Sequence, residues 1–180
     1  METGKSATPW QHLGIMLLVC IGLVLVLPLV LTLLLALPVT STLALLAMTL
    51  VIEYGAAPGG IALGLPPGFV LVVLCSVALG MTLMMYGLFD TLATSSDRVG
   101  NFLVRSQKRA DQSSILANYG IFGLVPCVMV LGFYVCPAIA WVCGWRRDYA
   151  ILLTMTGYIL VSIATILAAS GLITILQTGV

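Results

Sequence analysis

The stretch LVIEYGAAPGG, residues 50–60, decides how this chain is able to fold. Its Glu53 is the only charged residue between Lys5 and Asp90, and an acidic side chain at the centre of a membrane helix costs about 2.5 to 3.5 kcal/mol. Glycine and proline follow Glu53 closely, so a straight helix is not expected to continue past it. Broken backbone at membrane depth persists only where protein buries it or where it lines a wet cavity. A charge and a break at the same point predict a transport site.

Composition places the chain among integral membrane proteins. Apolar residues make up 61% of the 180 residues against 7% charged residues, and the mean hydropathy is +1.20, which is more apolar surface than a soluble domain of this size buries. The net charge is +1 without a clustered basic face, so we expect no nucleic-acid partner. The five cysteines lie in apolar stretches without a C-x-x-C pair, which argues against a disulfide framework and a zinc site. No cofactor is predicted.

Positive charge and segment length predict the topology of the second half. Basic residues gather at 98–109 and at 146–147, and the positive-inside rule places both loops in the cytoplasm. The segment 112–145 then begins and ends on the cytoplasmic side. Two full crossings would leave about 17 residues each and none for a turn. We therefore predict a re-entrant hairpin whose tip lies near 126–132.

The topology of the first half follows from the first apolar run. That run, residues 13–36, is too long for a cleaved secretory signal, so we expect it to remain as a spanning helix with Lys5 in the cytoplasm. The segment 40–67 then begins and ends outside, as a second re-entrant hairpin that turns around 53–60. The stretch 68–88 and the last run of the chain have the length and continuity of ordinary spanning helices.

The predicted fold is an all-α integral membrane protein with about three spanning helices plus two re-entrant helical hairpins in an inverted-repeat arrangement. We expect a multi-pass protein of the cell (plasma) membrane with a cytoplasmic N-terminus. Its single transmembrane domain divides into a first spanning helix (1–39), a hairpin plus spanning helix (40–89), a cytoplasmic amphipathic linker (90–111), and a second hairpin plus spanning helix (112–180). The triplets EYG, beginning at Glu53, and NYG, beginning at Asn118, occupy similar places in the two hairpins.

Three glycines of the first half repeat every four residues, a spacing that lets helix backbones approach closely in lipid. We expect Gly60 and Gly64 to pack the hairpin and Gly68 to open the following spanning helix. The alternative interpretation is that these glycines expose backbone groups to a substrate or an ion, as unwound half-helices do.

Residues 52–64, IEYGAAPGGIALG, resemble the acidic Gly-Ala-x-Pro-x-Gly signature of the small multidrug export protein family, a distant relative of the DedA (VTT-domain) membrane proteins. The stretches 118–126 and 137–150 are similar to the second half of that family. The resemblance implies a transporter with paired re-entrant hairpins and, for DedA relatives, movement of phosphorylated lipid carriers or maintenance of the proton-motive force. The chain departs from the pattern at Tyr54, where the family usually has arginine, and no arginine or second acid lies in 112–145.

These features predict a carrier that exports a small molecule in exchange with protons. Burial disfavours the charged form of a carboxyl group, which would let Glu53 exchange a proton while it faces each side in turn. One intramembrane acid without a base favours protons, cations or neutral polar molecules over anions. The predicted substrate and proton site consists of Glu53, Tyr54, Gly55, Pro58, Gly59, Gly60, Asn118 and Pro126.

Two alternatives stay open. The first is a DedA-like lipid translocase or scramblase, in which the basic residues Arg98, Arg105, Arg146 and Arg147 face lipid headgroups. The second is a subunit of a larger membrane complex that transports nothing, in which Glu53 pairs with a charge on a neighbour. We expect no enzyme, because the sequence offers no nucleophile with a base, no metal-ligand cluster and no phosphate-binding loop. The expected partners are the lipid bilayer, a small-molecule or lipid substrate, and a second copy of the chain, since a homodimer would close the wall of a cavity.

Overall fold

The computed structural model describes residues 9–95, 127–128 and 132–178, and the regular elements in these ranges are all helical. They are α1 (Pro9–Ile21), one π-helical turn (Gly22–Val26), α2 (Leu27–Leu34), α3 (Val39–Ile52), a 3₁₀ turn (Glu53–Gly55), α4 (Ala56–Ala62), α5 (Pro67–Ser95), α6 (Val135–Val142) and α7 (Arg147–Thr178). Helix α5 continues past residue 90, where we expected the linker, as far as Ser95. The rest of the expected linker lies outside the described residues.

Four segments of the described chain are long and apolar enough to cross a membrane: Gly14–Leu34, Val39–Ala62, Pro67–Leu92 and Arg147–Gly171. This confirms the prediction of an all-helical chain with several candidate membrane spans. The second segment differs from the others because its helix is interrupted at Glu53, between α3 and α4.

The first candidate span is continuous from α1 to α2. Pro28 lies at the start of α2 and has no N–H to donate, and the wider π-helical turn before it accommodates the missing bond. Helix α2 ends at Leu34, and Ala36 in the turn that follows has a φ of 51°, a left-handed conformation. The buried hydroxyl groups of Thr32 and Thr42 form a hydrogen bond of 2.9 Å, which fixes the start of α3 beside the end of α2.

Helix α5 is the central element, and two other helices run antiparallel to it. Gly80 of α5 lies against Val24, and Gly87, further along α5, lies against Met16, which comes earlier in the chain than Val24. The first candidate span and α5 therefore run in opposite directions. On another side, Arg147 at the start of α7 forms an ion pair of 3.0 Å with Asp90 near the end of α5. The start of α1, the end of α5 and the start of α7 therefore share one end of the protein, which we call the Arg147 end.

Three loops of the described chain, after α2, α4 and α6, close with the same hydrogen-bond pattern. The residue with positive φ is Ala36 after α2, Gly64 after α4 and Gly144 after α6. In each loop three successive N–H groups donate to carbonyls four, three and five positions earlier, beginning at Leu35, Leu63 and Cys143. This is a common way for a helix to end in a left-handed residue, so the pattern marks three helix ends.

The glycines of the first half divide differently from our expectation. Gly60 packs against Leu45 of α3 and Val70 of α5, as predicted for a glycine that lets helices approach. Gly64 packs against nothing within 4 Å, so its predicted packing role is wrong. Its positive φ is what requires glycine, because other residues adopt that conformation at a cost. The four-residue spacing of Gly60 and Gly64 therefore combines two separate requirements.

Candidate functional site

Glu53 lies at a sharp reversal of the chain. Helix α3 ends at Ile52, and Glu53 has φ 56° and ψ −128°. These angles match the first central position of a type II′ turn, which glycine normally occupies. A residue with a Cβ atom is held there at a cost of about 1 to 3 kcal/mol, and such strained positions cluster at functional sites.

The reversal folds α4 back along α3. Gly59 lies against Met48, and Gly60 lies against Leu45, so residues progressively further after the turn contact residues further before it. The hairpin therefore has Glu53 at its tip. Of the other predicted site residues, Gly55 lies against the Ile52 side chain at the tip, and Pro58 is exposed on α4. The absence of a Cβ atom at Gly59 and Gly60 lets the two arms of this hairpin approach.

A second reversal follows Cys127 and Val128, which are also helical. The N–H of Gly132 donates to the carbonyl of Val128 at 3.0 Å, and Gly132 has φ 79°. Helix α6 begins three residues later, and the Cys136 thiol on it donates back to the Gly132 carbonyl at 3.3 Å. Gly132 thus has the left-handed conformation that frequently follows a helix, and the chain turns there.

The two reversals meet at the Glu53 carboxylate. The N–H of Phe133 donates to Oε2 of Glu53 at 3.1 Å, and the Gly132 backbone lies so close to the same carboxylate that a Cβ atom there would overlap it. A second bond runs in the same direction: the Tyr134 hydroxyl donates to the Leu50 carbonyl at 2.8 Å. That carbonyl belongs to the last turn of α3, where carbonyls commonly lack a partner within the helix. The second reversal therefore supplies two donors, and the first reversal supplies their two acceptors.

Aromatic rings frame this contact. Tyr158 of α7 is fully buried, with its ring centroid 5.2 Å from that of Phe133 and 6.4 Å from that of Tyr54, both in edge-to-face geometry. Such pairs contribute about 0.5 to 1.5 kcal/mol beyond the burial of their area. Tyr158 therefore touches both reversals and holds them against α7. Tyr54, a predicted site residue, takes part in the site through this ring contact.

The other predicted residues lie apart from the site or outside the described chain. Asn118, Pro126, Arg98 and Arg105 fall outside the described residues. Arg146 and Arg147 lie at the start of α7, eleven residues from Tyr158, which corresponds to about 16 Å along a helix. They belong to a separate cluster at the Arg147 end.

In that cluster the two guanidinium groups already have neighbours. The Arg147 guanidinium pairs with Asp90 and lies 5.0 Å from the centroid of the Tyr86 ring, while Arg146 lies 5.0 Å from that of Tyr149. The Trp141 indole N–H donates to the other oxygen of Asp90 at 3.2 Å. The cluster ties the ends of α5 and α6 to the start of α7.

Sequence reasoning missed three residues of the site: Phe133, Tyr134 and Tyr158. Phe133 contributes its backbone N–H, which every residue type except proline also has, so its identity gives no signal in the sequence. Tyr134 and Tyr158 do carry a signal, because each places a hydroxyl group inside an apolar run, away from the aromatic residues that flank the arginines. A buried tyrosine hydroxyl normally needs a partner.

Comparison of the chain with protein-family models, with curated proteins and with solved structures gave no match. The geometry of the site is therefore the basis for the function proposed for this chain.

Proposed function

We propose that the protein is a membrane carrier that exports a small cationic or polar molecule in exchange with protons, and that Glu53 binds the proton. The observation that carries this proposal is the position of Glu53: a strained acidic residue at one reversal whose carboxylate accepts a backbone N–H from the other. Strain at a lone acid is hard to explain by stability alone, since glycine would satisfy the turn without it.

In the proposed topology the Arg147 end faces the cytoplasm, as the positive-inside rule requires for Arg146 and Arg147. Helix α3 begins and α4 ends near Pro67, at the opposite end of α5, so the hairpin with Glu53 at its tip would be re-entrant from the outside. Helix α6 leads from the second reversal to the Arg147 end, so that segment would be re-entrant from the inside. The antiparallel course of α5 and α7, each preceded by a short helix, supports an inverted repeat of two such units.

The depth of Glu53 agrees with this topology. Tyr158 is about 16 Å along α7 from Arg147, roughly half of a hydrocarbon core about 30 Å thick. The two hairpin tips would then meet in the middle of the bilayer. There the two tips would form the barrier between the two sides of the membrane.

Protonation of Glu53 would change the contact between the tips. The negative carboxylate is a strong acceptor for the Phe133 N–H, because hydrogen bonds to charged groups are roughly twice as strong as neutral ones. The neutral acid is a weaker acceptor, so the tips separate more readily after proton binding. Because the proton and a cationic or polar substrate would occupy the same carboxylate in turn, binding of one follows release of the other, and the two are exchanged.

Proton uptake by reconstituted vesicles tests this proposal. We expect vesicles loaded with ethidium, a small organic cation, and with an internal pH dye to take up protons in exchange for it at a rate at least tenfold greater with the wild-type protein than with Glu53→Gln. Asp90→Asn is the matched control, because Asp90 is an acid on the neighbouring α5 with a side chain that is 53% exposed, and its flux should equal that of the wild type. Equal flux in the wild type and Glu53→Gln, or no wild-type flux above that of empty vesicles, would overturn the proposal.

A further inference from the structure

Five buried hydroxyl groups lie on two neighbouring helices, and within the described part of the chain none of them has a hydrogen bond of ordinary geometry: those of Thr82 and Tyr86 on α5, and those of Thr154, Tyr158 and Ser162 on α7, of which Tyr158 and Ser162 approach each other. Each of these residues is at most 3% exposed. Other hydroxyl groups on the same helices donate to a carbonyl of the preceding turn, as Ser76 does to Val73 and Thr156 does to Leu152. The five therefore differ from the usual way in which a membrane helix satisfies a hydroxyl group.

These hydroxyl groups follow one path. On each helix the residues are four positions apart, so they share a face. Because α5 and α7 are antiparallel and their ends are joined by the Asp90–Arg147 ion pair, the two sets can be placed at common depths. Thr82 is about 12 Å from Asp90 along α5, and Thr154 is about 10 Å from Arg147 along α7. The two threonines thus lie at nearly the same level.

The path joins the Arg147 end to the Glu53 site. Tyr86 lies at its cytoplasmic end, with its ring 5.0 Å from the Arg147 guanidinium carbon. Thr82 and Thr154 come next along the path, and Tyr158 is one turn further along α7. The Tyr158 ring packs against Phe133, whose N–H binds the Glu53 carboxylate. Ser162 continues the same face by one more turn.

Single water molecules can link members of the path that do not touch each other. Residues four positions apart on a helix are separated by about 6 Å along its axis, and a water molecule that donates to one hydroxyl group and accepts from another bridges two oxygens about 5.6 Å apart. A buried hydroxyl group without a partner costs about 1 to 3 kcal/mol by measurements on protein variants. A chain of waters between the hydroxyl groups would supply the partners.

We infer that these hydroxyl groups and intervening waters form the proton route between the cytoplasm and Glu53. The inference rests on the proposed function, which it deepens. Each hydroxyl group or water accepts one proton from its cytoplasmic neighbour and passes another onward, so one proton leaves the cytoplasm and one reaches the Glu53 carboxylate. No group in the path gains or loses a proton overall, and no oxidant or other reactant is needed. Protons return by the same steps in reverse.

Isosteric replacement of the two threonines tests the route. In the vesicle assay, Thr82→Val together with Thr154→Val should slow proton uptake at least tenfold, because valine keeps the shape of threonine but neither donates nor accepts. The control is Thr156→Val on the same helix, whose exposed hydroxyl already donates to the Leu152 carbonyl, and its flux should equal that of the wild type. Wild-type flux in the double variant, with Glu53→Gln still inactive, would overturn the route but leave the proposed function intact. No flux in the wild type would overturn both.

Thermal unfolding in detergent gives a second readout that does not depend on transport. If the hydroxyl groups are dry, valine removes an unsatisfied polar atom and each single variant, Thr82→Val or Thr154→Val, raises the melting temperature. If they bind water, as we infer, neither variant melts higher than the wild type. Tyr86→Phe, which keeps the ring in place, provides the same test at the cytoplasmic end of the path. A higher melting temperature in all three variants would contradict the inference.

Discussion

Replacement of Gly132 by alanine tests whether the two reversals meet at the Glu53 carboxylate. Gly132 has φ 79°, and alanine in a left-handed conformation costs about 1 to 2 kcal/mol. The new methyl group would also overlap the carboxylate and force it away. The bond from the Phe133 N–H at 3.1 Å would then be lost, and a hydrogen bond to a charged group contributes about 1.5 to 3 kcal/mol. We therefore expect Gly132→Ala to lower the free energy of unfolding by about 2.5 to 5 kcal/mol.

Gly64→Ala is the matched control for this substitution. Gly64 has φ 78°, almost the same as Gly132, and it also lies in the turn that follows a helix. Nothing lies within 4 Å of its added methyl group. Its cost is therefore the backbone cost alone, about 1 to 2 kcal/mol. The difference between the two variants measures the contact with Glu53.

The assay is reversible unfolding in mixed micelles with increasing dodecyl sulfate, followed by tryptophan fluorescence. A double-mutant cycle with Glu53→Ala completes it: without the carboxylate, Gly132→Ala should cost no more than Gly64→Ala, which gives a coupling energy of about 1.5 to 3 kcal/mol. Equal costs for Gly132→Ala and Gly64→Ala in the wild-type background would refute the contact. So would a cost of Gly132→Ala that Glu53→Ala leaves unchanged.

Three further predictions use the same unfolding assay. Glu53→Gly should be more stable than Glu53→Ala by about 1 to 3 kcal/mol, because both remove the carboxylate but only glycine relieves the strained backbone; equal stability would argue against strain. Tyr134→Phe should lower the free energy of unfolding by about 1 kcal/mol, because it loses the hydrogen bond to the α3 carbonyl. Its control, Tyr149→Phe at an exposed position, should cause no measurable change. A larger loss in Tyr149→Phe than in Tyr134→Phe would contradict the contact between the tips. Gly60→Ala should cost about 1 to 3 kcal/mol, since its methyl group would lie 2.9 to 3.0 Å from side chains of α3 and α5. The methyl group added by Gly68→Ala would have no neighbour within 4 Å, so this variant should be neutral or more stable by up to about 1 kcal/mol. An equal loss of stability in Gly60→Ala and Gly68→Ala would refute the packing interpretation.

Much of the fold could be predicted because a membrane-spanning segment can be recognised from its apolar composition. The long apolar runs correspond to candidate spans, and the interruption of the second run coincides with the end of α3 at Ile52. An acid followed by glycine and proline is a strong local signal, since both the charge and the missing helical bonds are costly in lipid. The relation of this hairpin to the bilayer stays a prediction, as do the homodimer and the plasma-membrane location.

The partner of Glu53 could not be predicted because it is a backbone group. Any residue other than proline at position 133 offers the same N–H, and only the left-handed Gly132 before it brings that N–H to the carboxylate. Tyr158 was hidden in an apolar run with the length of an ordinary spanning helix. We paired the triplet at Glu53 with the triplet at Asn118, which lies outside the described residues. The segment that contacts the Glu53 tip is instead 132–134, whose residues GFY do not repeat that triplet.

The depth of the Glu53 tip in a bilayer is the most direct test of the proposed carrier. A nitroxide label is attached at Ile52, beside Glu53, in a cysteine-free variant, and its relative accessibility to oxygen and to a water-soluble nickel chelate reports its depth. Labels at Val39, the start of α3, and at Tyr149, in the first turn of α7, serve as references, since all three side chains are at least 40% exposed. We predict that the label at Ile52 lies about 15 Å below the surface, near the bilayer centre, and that both reference labels lie near the surface. A label at Ile52 as shallow as the two references would contradict the meeting of two hairpins in mid-membrane.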